Sequence, residues 1–271
     1  MSLGQLLRVG LALLVALPVH AQSVAYRIES DETLRYEEAS RWQTTVDGGN
    51  QVPITLLRDA TISITSADSG RWRAEYESFD VRSIRVGGVV APDREFLMGR
   101  PFVLTVSEAG DVTLEEAPTI LPVFSDFYDP TLQFVDFLVP IPDASLSEGA
   151  TWADTVGTTN APRRGSAVRA TRSFEVVGDT ILDGESALVI EVRSEIEYRS
   201  TLPVPGWTGR PTTSAKGSEN GYAIYSPSSR TLLSRTRSGE LSGTLTTGSG
   251  SVPIRIRYES DLVRSRQLRS N

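Results

Sequence analysis

Apolar and polar residues alternate with a period of two along most of this chain. From Val24 to Tyr36 the even positions Val24, Tyr26, Ile28, Leu34 and Tyr36 are apolar, while Arg27, Glu29, Asp31, Thr33, Arg35 and Glu37 fill the odd ones. Successive side chains of a strand point to opposite faces, so this pattern predicts a strand with one dry face and one wet one. It recurs in Leu188, Ile190, Val192, Ile196 and Tyr198 against Glu191, Arg193, Glu195, Glu197 and Arg199, and again in Val252, Ile254, Ile256, Tyr258 and Leu262 against Arg255, Arg257, Glu259 and Asp261. Helical spacing would drive these charges into the core. Between Arg71 and Val86 the parity slips: Trp72, Ala74 and Tyr76 are even, Phe79 and Val81 odd, Ile84 and Val86 even again. Such slips predict β-bulges, which bend a strand and curve its sheet.

Turn residues separate the alternating runs. Asp47-Gly48-Gly49-Asn50, Glu108-Ala109-Gly110-Asp111 and Pro227-Ser228-Ser229-Arg230 each predict a hairpin, and Gly178-Asp179 with Asp183-Gly184 predict a turn region before a strand from Ala187. One segment departs from the two-residue period. Asp129 and Pro130 supply an N-cap and a first helical position, and Leu132, Val135 and Leu138 follow at helical spacing beside Phe134 and Phe137. This predicts a short helix over about Pro130 to Val139, ended by Pro140 and Pro142, that plugs the open face of the sheet.

The expected fold is therefore mainly β: a curved antiparallel sheet, or half-barrel, in two strand-rich runs joined by a short helix. The first run covers residues 22–117, the connector 118–149 and the second run 150–271, with the two runs able to form one continuous domain. Val52-Pro53-Ile54 is echoed by Val252-Pro253-Ile254, and Tyr76-Glu77-Ser78 by Tyr258-Glu259-Ser260, which fits two related halves.

The first 21 residues change where this fold is expected to work. Arg8 is the only charge among them, Val9 to Leu17 is apolar apart from Gly10, and Val19-His20-Ala21 places small or aliphatic residues where a signal peptidase reads. This predicts a signal peptide of residues 1–21, cleaved after Ala21, and a periplasmic or secreted protein. The apolar run is shorter than the ~20 residues that span a bilayer. Cleavage would remove Arg8, so the formal charge of −7 becomes −8.

An acidic surface repels phosphate backbones and speaks against nucleic-acid binding. The basic residues are arginine except Lys216, and they are spread among acids rather than clustered. The chain has no cysteine, and its single histidine, His20, lies in the predicted leader. Without imidazole or thiol, a Ser-His-Asp triad, a cysteine nucleophile and a His- or Cys-ligated metal are all excluded from the mature chain. Thr213-Ser214-Ala215-Lys216 puts Thr where an S-x-x-K dyad needs Ser, in a Gly- and Ser-rich stretch read as a solvated loop. Glu115 with Glu116, or Asp126 with Asp129, could supply paired carboxylates for glycoside hydrolysis, but a solvated turn and a helix cap account for them. No phosphate-binding glycine loop and no D-x-D-x-D-G calcium loop occurs, so no cofactor and no metal is expected. A transmembrane β-barrel also alternates, with apolar residues outward, but the polar C-terminus from Gln267 to Asn271 lacks a terminal aromatic.

Pro142, Gly149 and Trp152 in PDASLSEGATW, between β-rich halves and after a helix, resemble a loose group of uncharacterised exported envelope proteins of Gram-negative bacteria. The architecture also resembles the half-barrel carriers of the LolA and LolB kind, and that likeness implies a concave sheet that holds acyl chains.

The sequence thus points to a non-catalytic binding or carrier protein with an apolar or lipid-like ligand on a concave sheet. Tyr26, Tyr76, Tyr198 and Tyr258 are the inward aromatic candidates. Trp207, in Leu202 to Pro211 between prolines and glycines, is the loop candidate, placed to cap a cavity or contact another envelope protein. A structural or assembly factor that presents a sheet edge is the alternative, and a carboxylate-dependent hydrolase a third.

Overall fold

A computed structural model describes residues 26–47, 54–68, 70–83, 97–119, 132–142, 146–157, 166–201 and 211–265. In chain order the elements are β1 (Thr33–Val46), β2 (Ile54–Asp68), β3 (Arg71–Ser83), β4 (Phe102–Val106), β5 (Val112–Glu116), α1 (Leu132–Val135), β6 (Thr151–Gly157), β7 (Ser166–Leu182), β8 (Glu185–Ser200), β9 (Thr212–Ser226), β10 (Thr231–Thr247) and β11 (Gly250–Ser265). All the strands form one antiparallel sheet of order β5-β4-β3-β2-β1-β11-β10-β9-β8-β7-β6. The two strand-rich runs are two meanders, joined in the middle of the sheet where the first strand pairs the last from Arg35↔Ser265 to Val46↔Ile254.

The predicted alternation sets the faces. Leu34, Tyr36, Ile62, Ile64, Ile190, Val192, Ile254 and Ile256 are buried on the inner face. Arg255, Arg257, Glu259 and Asp261 lie exposed on the outer one. On β11 these charges therefore face outward and the apolar residues inward, the reverse of a lipid-embedded barrel. Among the described residues no helix is long and apolar enough to cross a membrane.

The parity slip in β3 is a bulge: the register with β2 shifts between Thr61↔Ser78 and Ile62↔Tyr76. Ile84 and Val86, the second slip, lie outside the described residues. The hairpin at 107–111 closes through Ser107 N–H to Asp111 O, 2.9 Å. Asp183 and Gly184, with φ of 56° and 83°, make a two-residue turn between β7 and β8. Gly178-Asp179 is not a turn. It lies inside β7, where the register shifts between Val176 and Gly178 while pairing with β8 continues.

The sheet is curved. Trp42 on β1 and Tyr198 on β8 have ring centroids 5.8 Å apart although β11, β10 and β9 lie between their strands. Four strand spacings laid flat would separate them by about 19 Å. Glycines permit the bend: a Cβ on Gly217, Gly221 or Gly243 would overlap the backbone of the partner strand across the β9–β10 ladder.

The helix is shorter than its pattern predicts. α1 is one turn, and the chain bends from Asp136 onward. The bend brings Phe134, Phe137, Leu138, Val139 and Ile141, all buried, onto the inner face beside Tyr36, Tyr76 and Phe102. Trp152 Nε1 donates to the Pro140 carbonyl at 2.8 Å and Ile141 N–H to the Ala109 carbonyl, tying the connector to both halves. A continued helix would turn part of this apolar set away from the sheet.

Candidate ligand-binding face

Two apolar clusters share the inner face. The larger lies under the connector. The second gathers Val46, Ala170, Ile196, Ala215, Leu241, Leu245, Ile254 and Ile256 toward the opposite ends of the strands, with Trp42, Tyr198 and Tyr258 packed half-buried against it. Between them runs a belt of polar side chains.

Strand register builds the belt. Asp154, Arg172, Ser194 and Glu219 stand opposite one another across β6, β7, β8 and β9, and the row continues through Gly239, Tyr258 and Trp42. One step toward the larger cluster, Arg237, Ser260, Ser40 and Arg58 form a second row across β10, β11, β1 and β2. The connector adds Gln133 and Asp136. Arg237 Nη1 donates to Asp136 Oδ2 at 2.8 Å and Arg235 Nη2 to the same oxygen at 3.2 Å. Arg172 Nη1 binds the other oxygen of Asp136 while its Nε holds Asp154 Oδ1 at 2.8 Å. Arg58 pairs with Glu38 and donates to Gln133 Oε1 at 2.8 Å. Tyr258 OH donates to Glu219 Oε2 at 2.7 Å.

Burial and opposite charge compete in this belt. Burial alone would raise the Asp136 carboxyl, but Arg235, Arg172 and Arg237 hold it down at about 2. Burial pushes the Glu38 carboxyl up to about 7, against the pull of Arg237 and hydrogen bonds from Ser260 and Gln133. Burial lowers the Arg235 guanidinium, and Asp136 opposes that. The Tyr258 phenol is raised, by burial and then by the Glu219 charge it faces. A small cavity with room for about one water opens among Gln133, Asp136, Phe137, Arg235, Arg237 and Ser260.

The structure divides the predicted site residues. Tyr26 and Tyr76 are buried in the larger cluster, Tyr26 edge-on to Tyr225 and Tyr76 against Phe79 and Phe102. Tyr198 and Tyr258 lie in the second cluster, where Tyr258 stacks on Trp42 at 4.9 Å. Trp207 lies outside the described residues, as do Asp126 and Asp129. Glu115 sits exposed on edge strand β5, bonded to Arg71 and Thr105.

Thr213 and Lys216 belong to β9 and not to a loop. Thr213 is buried on the inner face, while Lys216 is exposed and pairs with Glu197, so the strand's alternation keeps the two apart. Among the described residues no group of three or more His, Cys, Asp or Glu side chains is arranged to hold a metal ion.

Sequence reasoning missed the belt and Trp42. Its signal was phase rather than composition: Glu38, Trp42 and Arg58 share the parity of their inward neighbours, as do Arg172 with Phe174, and Glu219 with Ala223. A charge in phase with apolar neighbours marks a buried ion whose partner lies elsewhere in the chain.

No protein-family model and no curated protein matches this chain. A solved structure titled "Lipid-protein interactions in lipovitellin" is similar to it with a TM-score of 0.47 and 10% identity, over 89% of this chain. The likeness spans 26% of the lipovitellin chain, about a quarter of its length.

Proposed function

We propose that this protein is an exported, non-catalytic binding module of the cell envelope that takes an apolar, acyl-like molecule on the inner face of its sheet. The observation that carries this reading is the half-buried trio Trp42, Tyr198 and Tyr258, packed on buried aliphatic residues beyond the polar belt. Broad aromatic faces give apolar ligands large contact area at little conformational cost. The larger cluster offers no comparable surface, because connector side chains such as Phe134 and Phe137 already fill it. Export follows from the leader-like residues 1–21, and an acidic surface without cysteine suits that compartment.

Native mass spectrometry of protein prepared from its own envelope fraction, with lipid extraction in parallel, tests the reading. A bound acyl compound, or uptake of a fatty-acyl probe that Trp42→Ala weakens about 10-fold or more, is the expected result. A ligand-free spectrum combined with no probe uptake overturns it.

A further inference from the structure

Asp136 reaches the belt from the connector and meets three guanidiniums that the sheet itself positions. Arg172 belongs to β7 and Arg235 and Arg237 to β10, so the sheet and not the connector carries all three. Arg172 and Arg235 have side chains only 5% and 3% exposed, and Arg235 Nε, buried beside Asp136, has no hydrogen-bond partner. Without Asp136, these three arginines and Arg58 face Asp154, Glu219 and Glu38 among the sheet's acids here. Four positive charges against at most three negative ones leave at least one positive charge, which a carboxylate neutralises. Asp136 supplies that carboxylate from within the chain.

This cationic cradle lies at the foot of the aromatic cluster. Ser260, which lines the cavity with Arg235 and Arg237, is the inward neighbour of Tyr258 on β11, and the apolar cluster runs on from Tyr258 to Val252. Six residue-to-residue steps of strand give it a length of about 20 Å. On the opposite side Phe137 closes the cavity. An amphiphile seated here has one arrangement that satisfies both ends: acid group in the cradle, alkyl chain along the aromatic face.

We propose that Arg172, Arg235 and Arg237 form a receptor for the carboxylate of a long-chain fatty acid, and that Asp136 occupies it as an internal stand-in which the ligand displaces. This proposal rests on the acyl-binding reading above and adds the head group, its partners and the competitor. The cavity admits only about one water while Asp136 is in place, so binding requires the exchange of one carboxylate for another. Guanidinium–carboxylate hydrogen bonds are charge-assisted, which makes the acid group the discriminating part of the ligand.

Displacement of a bound fluorescent fatty acid tests this, with palmitate and methyl palmitate as competitors. Wild-type protein is expected to prefer the acid by about 10-fold or more, as a charge-assisted hydrogen bond predicts. Arg237→Gln is expected to remove that preference, the affinity for the acid falling about 10-fold more than that for the ester. Asp136→Asn, which removes the competing charge, is expected to tighten palmitate several-fold. Equal affinity for acid and ester overturns the cradle and leaves the acyl reading standing, whereas failure of the probe to bind at all removes both. Unchanged or weaker palmitate binding by folded Asp136→Asn overturns the stand-in role. Should that variant not fold, the acid–ester comparison and Arg237→Gln decide the question.

Discussion

The Tyr258 hydroxyl donates to Glu219 Oε2 at 2.7 Å from two strands away, across the backbone of Gly239 on β10. A Cβ on Gly239 would lie 2.5 Å from the Tyr258 ring, so the glycine makes room for the phenol to cross. Tyr258→Phe keeps the ring on Trp42 and leaves a buried carboxylate short of a donor. It is expected to cost about 1–3 kcal/mol in urea denaturation, with the tryptophan emission of the folded state little changed. No loss of stability would mean that water replaces the hydroxyl at no cost.

The bend across β9 and β10 depends on glycines that any side chain would crowd. Gly221→Ala places a methyl group against the Thr236 backbone and is expected to cost about 3 kcal/mol. Gly248→Ala enters open space and is expected to stay within about 0.5 kcal/mol of wild type. Equal midpoints in chemical denaturation would show that the backbone relaxes freely there.

Acid should loosen the connector. Asp136 has a folded-state value of about 2 against an ordinary 3.8, so the folded state binds its proton less tightly than the unfolded chain. Its contribution is complete above about pH 4 and is lost as pH falls through the window from 4 to 2. A shift of this size is worth about 2 kcal/mol. Wild type is expected to lose most of that in excess of what Asp136→Asn loses between pH 5 and pH 2.5. Parallel pH curves for the two proteins would contradict it.

Two tryptophans on one face should separate structure from binding. Trp152 lies on Phe174 and bonds to the Pro140 carbonyl, so Trp152→Phe is expected to cost about 1 kcal/mol of stability and leave acyl-probe affinity intact. Trp42→Ala is expected to weaken the probe about 10-fold or more. Probe titration of both variants, with their folding checked by circular dichroism, reads the difference.

Much of the fold was legible because strand alternation is local. The inward faces of β1, β8 and β11 are those that the parity of Leu34, Ile190 and Ile256 indicates, and the slip after Tyr76 is the β3 bulge. The belt was not legible because its partners are remote: Asp136 meets Arg235 at a separation of 99 residues, and Glu38 meets Ser260 at 222. No local rule joins them. The helix was overread for a related reason. Apolar spacing from Leu132 to Leu138 fits a helix, but packing on the sheet and the pull of three arginines on Asp136 set where the chain bends. Gly217, Gly221, Gly239 and Gly243, four apart on each of two neighbouring strands, are a readable signal of the bend once the strands are known to pair.

Pairing β1 with β11 at the centre of the sheet governs the order in which the molecule can be assembled. Each meander can form as its chain emerges, yet the seam between them stays open until the last strand is made. Closing so long a loop is slow. Until then β1 and β10 each present an unpaired edge that only the final strand can cover, so the last residues made are the ones that lock the two meanders together.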